Sequence, residues 1–355
     1  ALIGPLADAK NNMSGTWSVA TNGEKCISLL AGIQEVAGKT TKVLYAKGSN
    51  LDYDETFETN ATMFGKTLNR DKRSKEEMIA EALKVANQAD VIVAALGESA
   101  EMSGESSSRT NLEIPQAQKD LLNELLKTGK PVVLVLFDGR PLVLNDENAK
   151  LPAILNVWFA GSEAGYAIAD VLFGDVNPSG KLTTTFPRSV GQVPIYYAHK
   201  NTGRALMNTE GKFEKFRSNY IDERNEPLFP FGYGLSYTNF DYSNIKISSD
   251  KMNFNEKVNV SVDVANTGNY DGKETVQLYI RDVVGSVTRP VRELKGFQKI
   301  TLKKGEKQTV TFEISVEDLK FYNSDLKFVA ESGEFEVFVG GNSNADKKVN
   351  FHLVN

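Results

Sequence analysis

Val91-Ile92-Val93-Ala94-Ala95-Leu96 runs directly into Gly97-Glu98-Ser99-Ala100-Glu101-Met102-Ser103-Gly104-Glu105-Ser106-Ser107-Ser108-Arg109-Thr110. An apolar run without alternation reads as a strand buried on both faces, the pattern of a parallel sheet covered by helices on each side. The segment after it is small, flexible and polar, with three carboxylates and one arginine. In open α/β sheets, ligands bind outside the carboxyl ends of the strands. A loop carboxylate among small residues can approach a substrate closely, which suits proton transfer.

The same pattern extends to either side. Ala1–Leu6, Thr41–Ala46, Pro131–Phe137 and Ile154–Phe159 are further short apolar runs. Between them, Ser74 and Glu77 have the spacing of a capping box, followed by the stripe Ile79, Ala82, Leu83, Ala86. Pro115 suits a first helical turn, with Ala117, Leu121 and Leu125 after it and a stop at Gly129. A third helix is expected from Ser162, with Ala164, Ala167, Ile168, Val171 and Leu172 on one face and a stop at Gly174. Strand–helix alternation over residues 1–186 implies a doubly wound α/β sandwich domain.

Residues 187–239 have weak periodicity, many turn residues and many aromatics, among them Tyr196, Tyr197, Phe213, Phe216, Tyr220 and Phe229. Disordered linkers are poor in aromatics, so this is an ordered connector whose rings pack onto a domain surface. From residue 240 to 355 the period becomes two. Val258, Val260, Val262 and Val264 alternate with polar residues, as do Val276, Leu278 and Ile280. Val310, Phe312 and Ile314 follow, then Phe335, Val337 and Val339, with turns at Asn266-Thr267-Gly268 and Lys304-Gly305. Short alternating strands between turns describe an all-β sandwich of immunoglobulin or fibronectin type III character.

The 355 residues suffice for two or three cores. A net charge of −5 with scattered Lys and Arg argues against nucleic acid or an anionic membrane as partner, and no apolar run is long enough to span a bilayer. The two histidines, His199 and His352, are far apart and Cys26 is the single cysteine, so no metal site and no cofactor are expected. Cys26 precedes the apolar series Ile27, Leu29, Leu30, Ile33 and reads as a buried helix position. The chain opens on Ala1-Leu2-Ile3-Gly4-Pro5-Leu6 with no initiator methionine or signal peptide, and is read as a piece of a longer polypeptide.

Nucleotide motifs fail on inspection. Gly174 to Leu182 resembles a phosphate loop, but its glycine spacing is one residue too long and Leu182 stands where Ser or Thr would bind magnesium. No Gly-x-Gly-x-x-Gly or Gly-x-Ser-x-Gly occurs in the right context. Trp17, in a small-residue loop after the first strand, is either a packing residue or a platform for a sugar face. Arg109 either orients a carboxylate or holds its loop by an ion pair. By position alone, Glu98, Glu101 and Glu105 are interchangeable.

Ile3 to Asp8, Met102 to Thr110, Trp158 to Gly165, Leu172 to Leu182, Phe229 to Thr238 and Arg289 to Phe297 recur in order along one family. In these motifs the chain resembles glycoside hydrolase family 3, and within it the bacterial periplasmic β-glucosidases. The resemblance implies an N-terminal (β/α)8 barrel, an α/β sandwich and a fibronectin type III-like domain, of which this sequence supplies the last two. It implies a retaining exo-acting hydrolase of terminal β-D-glucosyl residues, with β-xylosides or galactosides as alternatives, located in the periplasm or secreted. The nucleophilic aspartate would lie on the barrel. The acid/base glutamate would fall on Glu105, seven residues before Leu112, with Glu98 the weaker candidate and Trp17 and Arg109 contacting substrate. Without the barrel, Glu105 should be solvent-exposed. The competing expectation is a non-catalytic carbohydrate-binding or assembly module.

Overall fold

The computed structural model describes residues 1–39, 41–60, 70–206 and 212–355. The chain divides into two compact units, Ala1–Val176 and Asn177–Asn355. The connector residues 187–206 and 212–239 belong to the second unit; residues 207–211 lie outside the described set.

In the first unit, strands β1 (Leu2–Ile3), β2 (Tyr45–Ala46), β3 (Ile92–Gly97), β4 (Val132–Phe137) and β5 (Ala153–Asn156) form one sheet of order β2-β1-β3-β4-β5. Every pairing is parallel. The helices are α1 (Leu29–Ala37), α2 (Glu55–Asn60), α3 (Lys75–Asn87), α4 (Gln116–Leu126), α5 (Asn145–Lys150) and α6 (Ala164–Phe173). Leu29 and Ile33 of α1 and Ala164 and Ile168 of α6 share one core with Val135 and Phe137 of β4. Helices α1 and α6 approach closely, since a Cβ on Gly32 would lie 2.1 Å from the Gly165 carbonyl oxygen. This is the doubly wound arrangement expected, and its strand order reverses between β1 and β3.

Local chemistry explains where elements start and stop. Ser74 and Glu77 form the expected capping box at the start of α3. Gly174 ends α6 in the left-handed conformation, φ 84°. Pro115 is the N-cap residue of α4 rather than a member of its first turn. Several expected strands are shorter. β1 stops at Ile3 because Gly4 takes φ +141° and Pro5 has no N–H to pair. β5 ends at Asn156, whose side chain accepts from Trp158 N at 3.4 Å, and Trp158 itself takes φ +50°. The run from Thr41 contributes only Tyr45–Ala46. Cys26 is buried as expected, but in extended backbone; α1 begins after Ser28, whose Oγ accepts from Ala31 N at 3.2 Å.

The second unit carries strands β6 (Phe240–Ile247), β7 (Lys251–Asn253), β8 (Lys257–Asn266), β9 (Gly272–Asp282), β10 (Glu293–Leu302), β11 (Lys307–Ser315), β12 (Phe321–Tyr322), β13 (Phe328–Val329), β14 (Gly333–Gly340) and β15 (Lys347–Val354). Two sheets, β10-β9-β14-β15-β7 and β11-β8-β6, enclose the core. The alternating valines of β8 and the inward residues of β9, β11 and β14 all join it, with Phe351 and Leu353 of β15. This is the expected β-sandwich. The Asn266 side chain donates to Tyr270 O and Leu302 O and accepts from Thr238 Oγ1, which locks the turn after β8. In the connector some aromatics pack: Tyr197 stacks on Phe231 at 4.5 Å between ring centroids and meets Tyr279 edge-on. Others, including Tyr196, Phe213 and Phe216, are exposed.

Candidate active site

The strand order reverses between β1 and β3, the place where open α/β sheets bind ligands, and the loops that leave the carboxyl ends of both strands meet there. Gly97 closes β3 at φ +129°, where a Cβ would lie 1.9 Å from the Phe137 carbonyl oxygen, so only glycine allows this exit. Glu98 N then donates to Phe137 O at 2.7 Å, which starts the loop over the end of β4. From the β1 side, Asn12 Oδ1 accepts from Ala100 N at 2.5 Å and Thr16 Oγ1 donates to Glu101 Oε2 at 3.0 Å.

Packing separates the three carboxylates that sequence left equivalent. Glu98 is fully buried. Its Oε1 accepts from Arg109 Nη1 at 2.7 Å and lies 3.1 Å from Arg140 Nε, while its Oε2 accepts from Gly139 N at 3.1 Å. Glu101 is half-buried on Thr16. Glu105 is exposed, as expected, and its side chain has no hydrogen-bond partner among the described residues. Its backbone is nonetheless held on both sides. A Cβ on Gly104, at φ +120°, would meet Thr16 Cγ2 at 2.4 Å, and Ser106 takes φ +59°.

Arg109 is engaged inside the loop: beyond its pair with Glu98, its Nη2 donates to Glu113 O at 3.0 Å. Trp17 is 72% exposed in the β1 loop, next in sequence to the Thr16 that touches Glu101 and Gly104. Trp17 and Glu105 therefore present free faces on adjoining loops.

Two neighbours escaped the reading of the sequence, Asp138 and Arg140 in the turn after β4. The rule that drew attention to the end of β3 would have found them at the end of β4. Asp138 is fully buried, and neither carboxyl oxygen accepts a hydrogen bond among the described residues. Burial first and the nearby Glu98 charge second push its pKa well above the usual carboxylate range. The unfolded chain therefore releases this proton at lower pH than the native state does. The associated stability is fully present below about pH 4 and is lost as pH rises towards the native pKa. Asp138→Asn, which keeps the neutral shape, is expected to melt higher than the parent at neutral pH, with a gap that widens with pH. Melting curves from pH 4 to 9 check this; a gap independent of pH would show that Asp138 does not carry the proton.

Residues 1–237 match the Glycosyl hydrolase family 3 C-terminal domain, and residues 274–343 match a fibronectin type III-like domain. The parallel α/β domain followed by the β-sandwich is thus the C-terminal portion of a glycosidase-type architecture. The chain belongs to glycosyl hydrolase family 3. It is 51% identical over 354 residues to a periplasmic β-glucosidase from Salmonella typhimurium, covering 100% of this chain and 46% of that protein. It is 40% identical to a β-xylosidase from Formosa agariphila, covering 98% of this chain and 44% of that one. A crystal structure of a mutant β-glucosidase from Listeria innocua in complex with laminaribiose superposes with a TM-score of 0.87 at 37% identity, covering 100% of this chain and 45% of the other. The chain thus spans less than half the length of these relatives. No helix among the described residues is long and apolar enough to cross a membrane.

Proposed function

We propose that this chain is the acid/base half of a retaining, exo-acting β-glucosidase whose nucleophilic aspartate lies on a (β/α)8 barrel preceding Ala1. The observation that carries this reading is the contrast among three carboxylates. Glu98 is saturated by two guanidiniums and an amide, Glu101 is bonded to Thr16, and Glu105 alone stands exposed on an anchored backbone.

In a retaining hydrolase two carboxyl groups stand about 5–5.5 Å apart around the glycosidic bond. Glu105 starts protonated and gives its proton to the glycosidic oxygen while the aspartate attacks the anomeric carbon and the aglycone departs as a neutral alcohol. The Glu105 carboxylate then takes a proton from water as that water attacks the glycosyl–aspartate ester. The sugar leaves with its β configuration, and both carboxyls return to their starting states. Trp17, exposed on the neighbouring loop, offers a flat apolar ring to the leaving sugar. Arg109 holds the loop through Glu98.

A terminal β-D-glucosyl residue is the proposed glycone, supported by the β-glucosidases among the relatives, with a β-xylosyl residue the nearest competitor. Export to the periplasm is supported by the name of the Salmonella relative. The test is direct. Residues 1–355 alone are expected to give no hydrolysis of nitrophenyl β-D-glucoside, and the complete reading frame containing them is expected to hydrolyse it. Turnover by 1–355 alone would contradict a divided site. Inactivity of both, with binding of β-glucans by 1–355, would favour the non-catalytic module.

A further inference from the structure

We propose that Arg140 is the positioning residue of the proton-donor loop, holding Glu105 at a fixed height over the sheet edge; this rests on the acid/base reading of Glu105. The guanidinium Nη2 donates to Ser107 O at 2.7 Å and also to Met102 O. Those two carbonyls bracket Ser103–Ser106, so one nitrogen ties together both ends of the segment that carries Glu105. The Nε of the same group lies 3.1 Å from Glu98 Oε1. Glu98 in turn binds Arg109 on the loop's exit and Gly139 N in the turn that carries Arg140. The base, crown and exit of the loop are thus tied to one turn after β4.

The arrangement suits a donor that must be placed without being neutralised. Among the described residues, Arg140 pairs only with backbone carbonyls and Glu98, so it fixes the loop and takes no part in pairing the Glu105 side chain. A guanidinium presents several N–H donors in a planar fork and can serve these acceptors together. An ammonium keeps the charge beside Glu98 but cannot reproduce that fork. Small misplacement of a catalytic group costs rate steeply, about 10²-fold for 1 Å.

Arg140→Lys is the variant, with Arg140→Gln as the alternative should the first not fold. In residues 1–355, hydrogen–deuterium exchange across residues 99–108 is expected to rise about 10-fold or more, with β3 and β4 unchanged. In the complete polypeptide, Arg140→Lys is expected to lose about 10- to 100-fold in kcat/KM on glucosides with poor leaving groups and much less on activated ones. Parental exchange across 99–108 overturns the proposal. So does a loosened loop with equal losses on both substrate types. Glu105→Ala, measured beside it, reads the acid/base assignment separately. Equal losses there defeat that assignment and this proposal with it, whatever the exchange shows.

Discussion

Glu105→Ala in the complete polypeptide is expected to lower kcat/KM on alkyl β-glucosides by about 10²- to 10⁴-fold, the usual contribution of a general acid. On dinitrophenyl β-glucoside the loss in kcat/KM should be far smaller. An alkoxide cannot leave without a proton, whereas a dinitrophenolate departs as the anion. The second half-reaction is the same for both substrates and loses its general base. Hydrolysis of the glycosyl-enzyme therefore becomes limiting on the activated substrate, so kcat falls and KM falls with it. Folding should be nearly untouched, because Glu105 is exposed and its side chain supports no described contact. Parallel losses on both substrates would remove Glu105 from the acid role.

Glu98→Ala is expected to do the reverse, and strongly. Its carboxylate is fully buried, accepts from Arg109 and Gly139 N, and is ion-paired with Arg140. Deleting it leaves two guanidiniums, 11% and 19% exposed, without their counter-ion. Removing one partner from a buried ion pair costs about 3–5 kcal/mol. For a unit of this size that corresponds to a fall of roughly 6–20 °C in melting temperature. Calorimetry on residues 1–355 measures it. A shift below 2 °C would mean that the Glu98 cluster does not hold the loop.

Much of the fold was legible because β3 and β4 are uniformly apolar, and because the valines of β8 all face one core. Two of the sandwich strands that escaped notice, β6 and β10, have local causes. In β6, Asn244 at φ +53° shifts the register between Ser243 and Lys246, so Phe240 and Tyr242 fall out of phase with Ile245 and Ile247. In β10 the buried residues are Ile300 and Leu302 at its end, and the polar residues and glycine before them leave no apolar alternation to read. The short helices α2 and α5 carry mostly polar and charged residues, so no apolar stripe announces them.

The site was legible as a place but not as a set of roles. Three glutamates in one polar loop look alike in sequence, because what separates them is contact with distant residues. Arg140 comes from another strand's turn and Thr16 from the loop after β1. Asp138 and Arg140 flank a glycine in a turn, where charged residues are ordinarily solvated; burial at the sheet edge is what gives them their meaning.

The most direct test of Glu105 as the proton donor is anionic rescue in the complete polypeptide. Azide needs no general base, so it can replace water against the glycosyl–aspartate ester once the Glu105 carboxylate is gone. With Glu105→Ala, dinitrophenyl β-glucoside and added azide, turnover should rise and the product should be β-glucosyl azide. Glu98→Ala should give no azide adduct. Free glucose alone from Glu105→Ala, or β-glucosyl azide from Glu98→Ala, would contradict the assignment.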